Sequence, residues 1–249
     1  MVGRRERQRE ATYDEIVRVS RDLLADGAEL SLRAVAARMG MTAPALYRYV
    51  GSYQELVDLV AFEIDKAATV GFAQAADSQP LEDPTARLLC ACVAFRSWAL
   101  ANPREFTLVF ANPVADQRCA RPREAVTVHS SALFFTRLML ELWQRVGFPV
   151  PSLDELSPAA REAVLDPIHG KYDELPDDNR GLVWVVMEGW TTLYGVVALE
   201  VFGHLDPRVI ESGDMFVTAL RRFGVRLELQ DDWPRLEPIV RARMADAVD

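Results

Sequence analysis

The sequence predicts an all-α protein, a small three-helix N-terminal domain followed by a larger helical one. Three observations carry this. Apolar residues recur at i, i+3, i+4 and i+7 along most of the chain, the period of a helix with one buried face. Ser, Thr or Asp opens many of these runs and Gly closes many, as helix ends require. The one alternating stretch, Val225, Leu227 and Leu229 around Arg226 and Glu228, is short enough to read as coil.

Residues 1–11, with Arg4, Arg5, Arg7 and Arg9, read as a basic arm. Thr12 and Glu15 have capping-box spacing and open a first helix to about residue 26. Its stripe is Ile16, Val19, Leu23 and Leu24, and Gly27 ends it. Ser31 caps a second helix over about 32–39, with Leu32, Val35, Ala36 and Met39 on one face. Gly40 stands where a positive φ would stop that helix. Thr42 caps a third helix, and Pro44 is tolerated in its first turn, where an N–H has no intrahelical partner. Ala45, Leu46 and Val50 pack inward, which leaves Ala43, Pro44, Tyr47, Arg48 and Tyr49 on the outer side.

Ser52 and Glu55 form a second capping box and open a fourth helix over about 53–76, striped by Leu56, Leu59, Val60, Glu63 and Ile64. It leaves the first domain and enters the second. Residues 77–84 read as a linker. Asp83 and Pro84 open a fifth helix to about 101, and Pro103 opens a short sixth through Phe110. After a loop at 111–122 a long seventh helix runs over about 123–146 to Gly147. Ser157 and Pro158 open a short helix to about 165, and the acidic stretch 170–178 reads as an exposed connection. The eighth main helix covers about 179–202 with Gly203 as its stop. Asp206 and Pro207 open a ninth that ends at Gly224, and Asp232, Trp233 and Pro234 open a last one through 247. The expected divisions are 1–55 for the first domain, 56–224 for the second and 225–249 for a C-terminal extension.

The chain has 249 residues, ample for a core, and half are hydrophobic, which excludes a disordered class. Its net charge of −9 is unevenly spread. Residues 1–51 hold nine Arg and seven acids, net +2, and the remainder carries net −11. Three cysteines, Cys90, Cys92 and Cys119, make no disulfide framework, and the basic N-terminus lacks the apolar run of a secretory leader, so the expected location is the cytoplasm. Residues 182–202 are long enough and nearly apolar enough to span a bilayer, but Glu188 and Glu200 are costly at that depth, so the segment reads as a helix buried in protein.

Two short helices, a tight turn and an outward Tyr-Arg-Tyr tip form a helix-turn-helix, the motif that places its second helix in a DNA major groove. This segment resembles the DNA-binding domain of the TetR family of bacterial transcriptional regulators. The likeness runs over about 13–63 and rests on Val35-Ala36, Gly40-Met41-Thr42, Ala45-Leu46-Tyr47-Arg48, Ser52 and Glu55-Leu56. Two positions depart from the family pattern. Tyr49 stands where His is usual, keeping a donor but losing the titratable ring, and Tyr53 stands where Lys is usual, which shifts phosphate attraction onto arginines. The second domain resembles the WHG type of TetR C-terminal domain. Here the likeness rests on Gly189-Trp190, Tyr194-Gly195, Leu199-Glu200 and Gly203, together with residues 102–106 and 110–113; Tyr194 replaces the usual His.

The resemblance implies DNA contacts at Arg33, Thr42, Ala43, Pro44, Ala45, Tyr47, Arg48, Tyr49 and Tyr53. An arginine can bond a guanine edge bidentately, so Arg48 is the expected base reader, and the tyrosines are expected on phosphates. The resemblance further implies a homodimer on a palindromic operator, joined through the last two long helices with Gly189, Gly195 and Ala198 allowing close approach. It implies a largely apolar small-molecule effector bound near Trp98, Phe110, Trp143 and Tyr194, and release of DNA by a repressor. Arg96, Glu188 and His129 are candidate polar anchors for that effector. The near absence of lysine, only Lys66 and Lys171, points to a GC-rich bacterial genome.

No cofactor, catalytic residue or metal site is expected. Cys90 and Cys92 lie two apart on a helix and point roughly 200° from each other. His129, His169 and His204 are isolated in sequence, and the pairs Asp177-Asp178 and Asp231-Asp232 fit solvated caps. There is no nucleophile elbow, phosphate loop or dinucleotide fingerprint. Other classes remain open at this point: a DNA- or partner-binding protein without an effector, an all-α enzyme with an incidental helix-turn-helix and, within the main reading, an activator.

Overall fold

The computed structural model describes residues 3–111, 130–167, 175 and 179–246. Among these the regular structure is helical throughout. The chain divides into two compact units, Met1–Ala67 with Asn102–Thr127, and Ala68–Ala101 with Val128–Asp249.

The first unit begins with α1, Arg4–Ala25. The expected arm is therefore helix from Arg4 onward, and Thr12 is not a cap. Its hydroxyl donates back to the Gln8 carbonyl at 2.9 Å, a mid-helix bond. Helix α2, Leu32–Arg38, is capped as expected, with the Ala34 N–H donating to Ser31 Oγ at 3.2 Å. Gly40 has φ +68°, the left-handed conformation that the tight turn requires. Helix α3, Ala43–Leu46, is shorter than expected, and Thr42 caps it through the backbone alone. Residues 47–49 continue as a turn. Helix α4, Tyr53–Asp77, opens on the expected box: the Glu55 N–H donates to Ser52 Oγ at 3.1 Å, while Glu55 Oε2 accepts from the Gly51 N–H at 2.7 Å. Ile16, Val35, Leu46, Leu56 and Val60 are fully or almost fully buried and form the centre of this unit.

Helix α6, Pro103–Phe106, belongs to the same unit and passes into a single π-helical stretch, Thr107–Ala111. It locks onto α1. Arg21 grips Glu105 with two bonds, at 2.7 and 3.3 Å. Arg104 donates to the Leu24 and Ala25 carbonyls at 3.1 and 3.0 Å, placing its positive charge at the C-terminal end of α1, where the Leu24 carbonyl also accepts from the Gly27 N–H. Gly27 beside them has φ +75°, and a Cβ there would collide with the Arg104 guanidinium.

The second unit is arranged around α5, Pro84–Ala101, whose start is held by the expected Asp83 cap (Ala86 N–H to Oδ1, 3.0 Å). Against α5 pack α7, Ser130–Val146, then α9, Gly181–Val201, and α12, Trp233–Asp246. Helix α8, Pro158–Leu165, lies on α9. The expected ninth helix is two. Helix α10, Pro207–Ser212, stops at the buried Gly213, and α11, Asp214–Arg226, runs past Gly224 to pack along α9. The expected C-terminal extension is packed over its described part, because Trp233, Leu236 and Val240 of α12 are buried.

Helix α9 is long and apolar enough to cross a membrane by length and composition alone. Its two acids both have charged partners within the chain, one pair buried and one partly exposed. Glu200 is fully buried at 2.6 Å from Arg96 of α5, and Glu188 accepts from Trp184 Nε1 at 3.1 Å and from Arg226 Nε at 3.2 Å. Both acids of this apolar helix are thus compensated by arginines of the same chain.

Candidate functional site

Most of the side chains expected at DNA lie on the outer side of the helix-turn-helix. Arg33 on α2 and Arg48 after α3 are exposed, and Tyr47 and Tyr53 are 51% and 41% exposed. Thr42 and Pro44 are exposed, and Ala43 and Ala45 are half-buried beside them. Tyr49 is held differently. It is half-buried, with its ring edge-on to Tyr13 at 5.9 Å. Three other arginines of the unit are committed to carboxylates: Arg18 to Asp22 at 3.1 Å, Arg38 to Asp26 at 2.8 Å and Arg21 to Glu105. Arg33 and Arg48 carry no such partner among the described residues, so their guanidinium donors are available to a ligand.

The aromatic residues of the second unit form a connected group. Phe95 of α5 packs edge-on to Phe72 of α4 at 5.6 Å, to Phe135 of α7 at 6.1 Å and to Trp190 of α9 at 5.6 Å. Trp98 joins through Phe72 at 6.0 Å, and Tyr194 stacks on Trp190 at 5.7 Å. Phe72, Phe95 and Phe135 are buried, whereas Trp98, Phe134, Trp190 and Tyr194 are half-buried around them. Two of the four expected effector residues, Trp98 and Tyr194, are thus brought into one group. Trp143 is tied elsewhere, its Nε1 donating to the Phe148 carbonyl at 3.2 Å. Phe110 packs on Phe106 at 5.4 Å in the first unit. The linking rings Phe72 and Phe95 were not singled out from the sequence, where nothing distinguishes them from core positions.

The proposed polar anchors are spoken for. Arg96 donates to Glu200, to the Ile210 carbonyl, and lies over the Phe216 ring at 5.4 Å. Burial nevertheless pushes the Glu200 carboxyl above its ordinary value, and its Oε1 has no hydrogen-bond partner. Glu188 is bonded to Trp184 and Arg226 as above. His129 lies outside the described residues, as do His169, Cys119, Asp177 and Asp178. Cys90 and Cys92 are both buried, and burial pushes the Cys92 thiol to about 12, so neither is a nucleophile. Among the described residues no cluster of three His, Cys, Asp or Glu is arranged to hold a metal.

The expected dimer residues differ among themselves. A Cβ on Gly189 would meet the Phe223 ring of the same chain at 3.0 Å, so this glycine permits the close approach of α9 and α11 within one protomer. A Cβ on Gly195 would meet nothing within 4 Å. Ala198 is half-buried, and Met187, Leu199 and Phe202 nearby are each 42% exposed.

An exposed helix-turn-helix joined to a larger helical unit defines a class, the helix-turn-helix regulators of transcription. The family follows from likeness to known proteins. The family model for the tetracyclin repressor-like C-terminal domain matches residues 88–223. The HTH-type transcriptional regulator Rv1816 of Mycobacterium tuberculosis is 30% identical over 220 residues, covering 84% of this chain and 91% of that protein. The regulator Mb1846 of Mycobacterium bovis matches equally. A solved structure described as a regulatory protein, SCO4313, superposes with a TM-score of 0.56 at 23% identity, covering 91% of this chain and 98% of that one, and shares the fold. This chain belongs to the TetR family of transcriptional regulators. It is a DNA-binding regulator, not an enzyme.

Proposed function

We propose that this regulator is a homodimeric repressor that a largely apolar small molecule releases from a palindromic operator in the cytoplasm. The observation that carries the DNA-binding part is the pair of exposed arginines, Arg33 and Arg48, on the outer side of α2 and α3, which have no ion-pair partner among the described residues. In this reading Arg48 bonds a guanine edge, and Tyr47 and Tyr53 donate to phosphates. Tyr49 contributes its free edge, and Thr42, Ala43, Pro44 and Ala45 line the approach of α3 to the groove. Two protomers present their α3 helices roughly 34–36 Å apart, one turn of duplex.

The dimer part is supported by the uncovered apolar stripe of α9, where Gly195 has open space beside it. Gly189 lies on another side of α9, where it seats α11 within the chain. The effector part is supported by the half-buried rings Trp98, Trp190 and Tyr194, linked through Phe95 to Phe72 on α4. Helix α4 carries residues of both units without a break. A ligand that prefers one arrangement of those rings therefore biases α4, and a preference of about 1–3 kcal/mol is ordinary allosteric coupling. The functional division is 1–55 for DNA, 56–224 for effector and dimer, and 225–249 as an extension.

Selection of bound sequences from a random duplex pool by the purified protein tests this. The expected result is an enriched palindrome whose half-sites lie about one helical turn apart, from which apolar compounds release the protein. Binding that only fades with salt and enriches no sequence would refute operator recognition.

A further inference from the structure

The turn that ends α3 carries Tyr47, Arg48 and Tyr49, yet α3 itself is only Ala43–Leu46. One helical turn does not hold itself in shape. The Tyr49 carbonyl lies beyond the last helical bond, where a backbone acceptor is left without an intrahelical donor. It is taken by a residue 36 positions earlier: Tyr13 of α1 donates its hydroxyl to it at 3.2 Å. The direction of that bond is set by a third group. Arg9 Nε and Nη2 lie 3.3 and 3.1 Å from the same hydroxyl oxygen. A guanidinium only donates, so the oxygen accepts from Arg9 and its single hydrogen is left for Tyr49. A charged donor on the oxygen also makes that O–H a stronger donor. The edge-on Tyr13–Tyr49 ring contact closes the same junction.

We propose that Tyr13 is a positioning residue for DNA recognition: oriented by Arg9, it clamps the end of the recognition helix to α1 and so presets the approach of Arg48 to a base edge. The proposal rests on α3 being the recognition helix. A preset arginine gains most where geometry is demanding, at a bidentate base contact, and least at phosphates, which tolerate displacement. The clamp therefore serves specificity more than general affinity.

The test uses the full chain and Tyr13→Phe, which keeps the ring and removes the hydroxyl. Amide hydrogen exchange of the free protein is measured over residues 47–50. Affinity is measured over a range of salt for the sequence enriched by the wild type and for a random duplex. Loss of the clamp is expected to speed exchange at 47–50 and to lower the ratio of the two affinities about three- to tenfold, the worth of one hydrogen bond. Random-duplex affinity and its salt slope stay put, because no charge is removed. A merely structural hydroxyl would instead lower both affinities together, and that result overturns the proposal. Unchanged exchange at 47–50 overturns it as well, and so does faster exchange with an unchanged ratio. If the wild type enriches no sequence, the recognition-helix reading has failed and takes this proposal with it; the exchange data separate that outcome from a missing clamp.

Discussion

Helices α5 and α9 are both apolar around nearly their whole circumference, yet the fold treats them differently. Thirteen of the 18 residues of α5 are buried, against eight of the 21 in α9. The reason is coverage. Helix α5 is packed by α7, α9 and α12, whereas α9 meets α5, α8 and α11 and keeps Met187 and Leu199 in the open. Composition alone makes α9 the central helix of the unit, but that place belongs to α5. What composition reports is that a helix is to be covered; it does not say by what. For α5 the cover is the chain itself. For α9 part of the apolar surface stays uncovered, and this separates the two helices.

The largest effect is expected where the two helices meet. Arg96→Ala leaves Glu200 buried without its partner and should cost about 3–5 kcal/mol, read as a fall in the urea midpoint at unchanged slope. A loss under 1 kcal/mol would mean that the ion pair is not what joins α5 to α9. Next, Leu199→Arg places a charge on the open stripe. The protomer should unfold at nearly the wild-type temperature, while sedimentation shows a shift to monomer and the enriched operator is lost. A dimer that survives this change would show that the stripe of α9 is covered in some other way.

Glu200 supplies a smaller, pH-dependent effect. Its carboxyl ordinarily titrates near 4.5, and burial raises it in the folded state. The folded protein therefore holds that proton more tightly than the unfolded chain. Its contribution to stability is complete below pH 4.5 and is lost as pH rises through the raised folded value. Subtracting the stability of Glu200→Gln from that of the wild type should give a difference that declines over this window. A difference that climbs with pH would mean that Arg96, not burial, governs the group.

The smallest effects come from the two glycines. Gly189→Ala forces a methyl against Phe223 and should destabilise by about 1 kcal/mol, since a small overlap in a packed contact is only partly relieved. Gly195→Ala should stabilise the isolated protomer by about 0.5–1 kcal/mol through helix propensity and weaken self-association at the same time. Opposite signs for the two readouts at one residue would sharpen the contrast between a face covered within the chain and a face covered by a second copy.

Much of the fold was legible because its signals are local. Ser31, Ser52, Asp83 and Ser157 each cap the helix that follows through a bond to a backbone N–H three residues on. Gly40 and Gly147 end helices in the left-handed conformation for the same reason. The exposure of Pro44, Tyr47 and Arg48 was legible too, since a period of 3.6 decides which residues of a short helix face away from the core, whereas Tyr49, expected beside them, is half-buried against Tyr13. Thr12 misled because its spacing to Glu15 suits a cap equally well in an interior turn; only the helix continuing to Arg4 excludes it. The break at Gly213 was missed because Asp206 and Pro207 announce a start, whereas the stop six residues later depends on what lies beneath, with Arg96 and Met244 close to where a side chain would stand.

By itself the sequence determined the helical class, most helix boundaries, the helix-turn-helix and the family, all of which rest on contacts spanning a few residues or on a motif of fixed spacing. The tertiary structure decided which apolar helix is central, which acids are ion-paired, which rings touch, and that the Tyr13 hydroxyl donates to the Tyr49 carbonyl just after α3. Such facts join residues far apart in the chain, 36 positions for Tyr13 and Tyr49 and 104 for Arg96 and Glu200. They depend on which faces come together, and two helices of like composition carry no local mark of which will be covered.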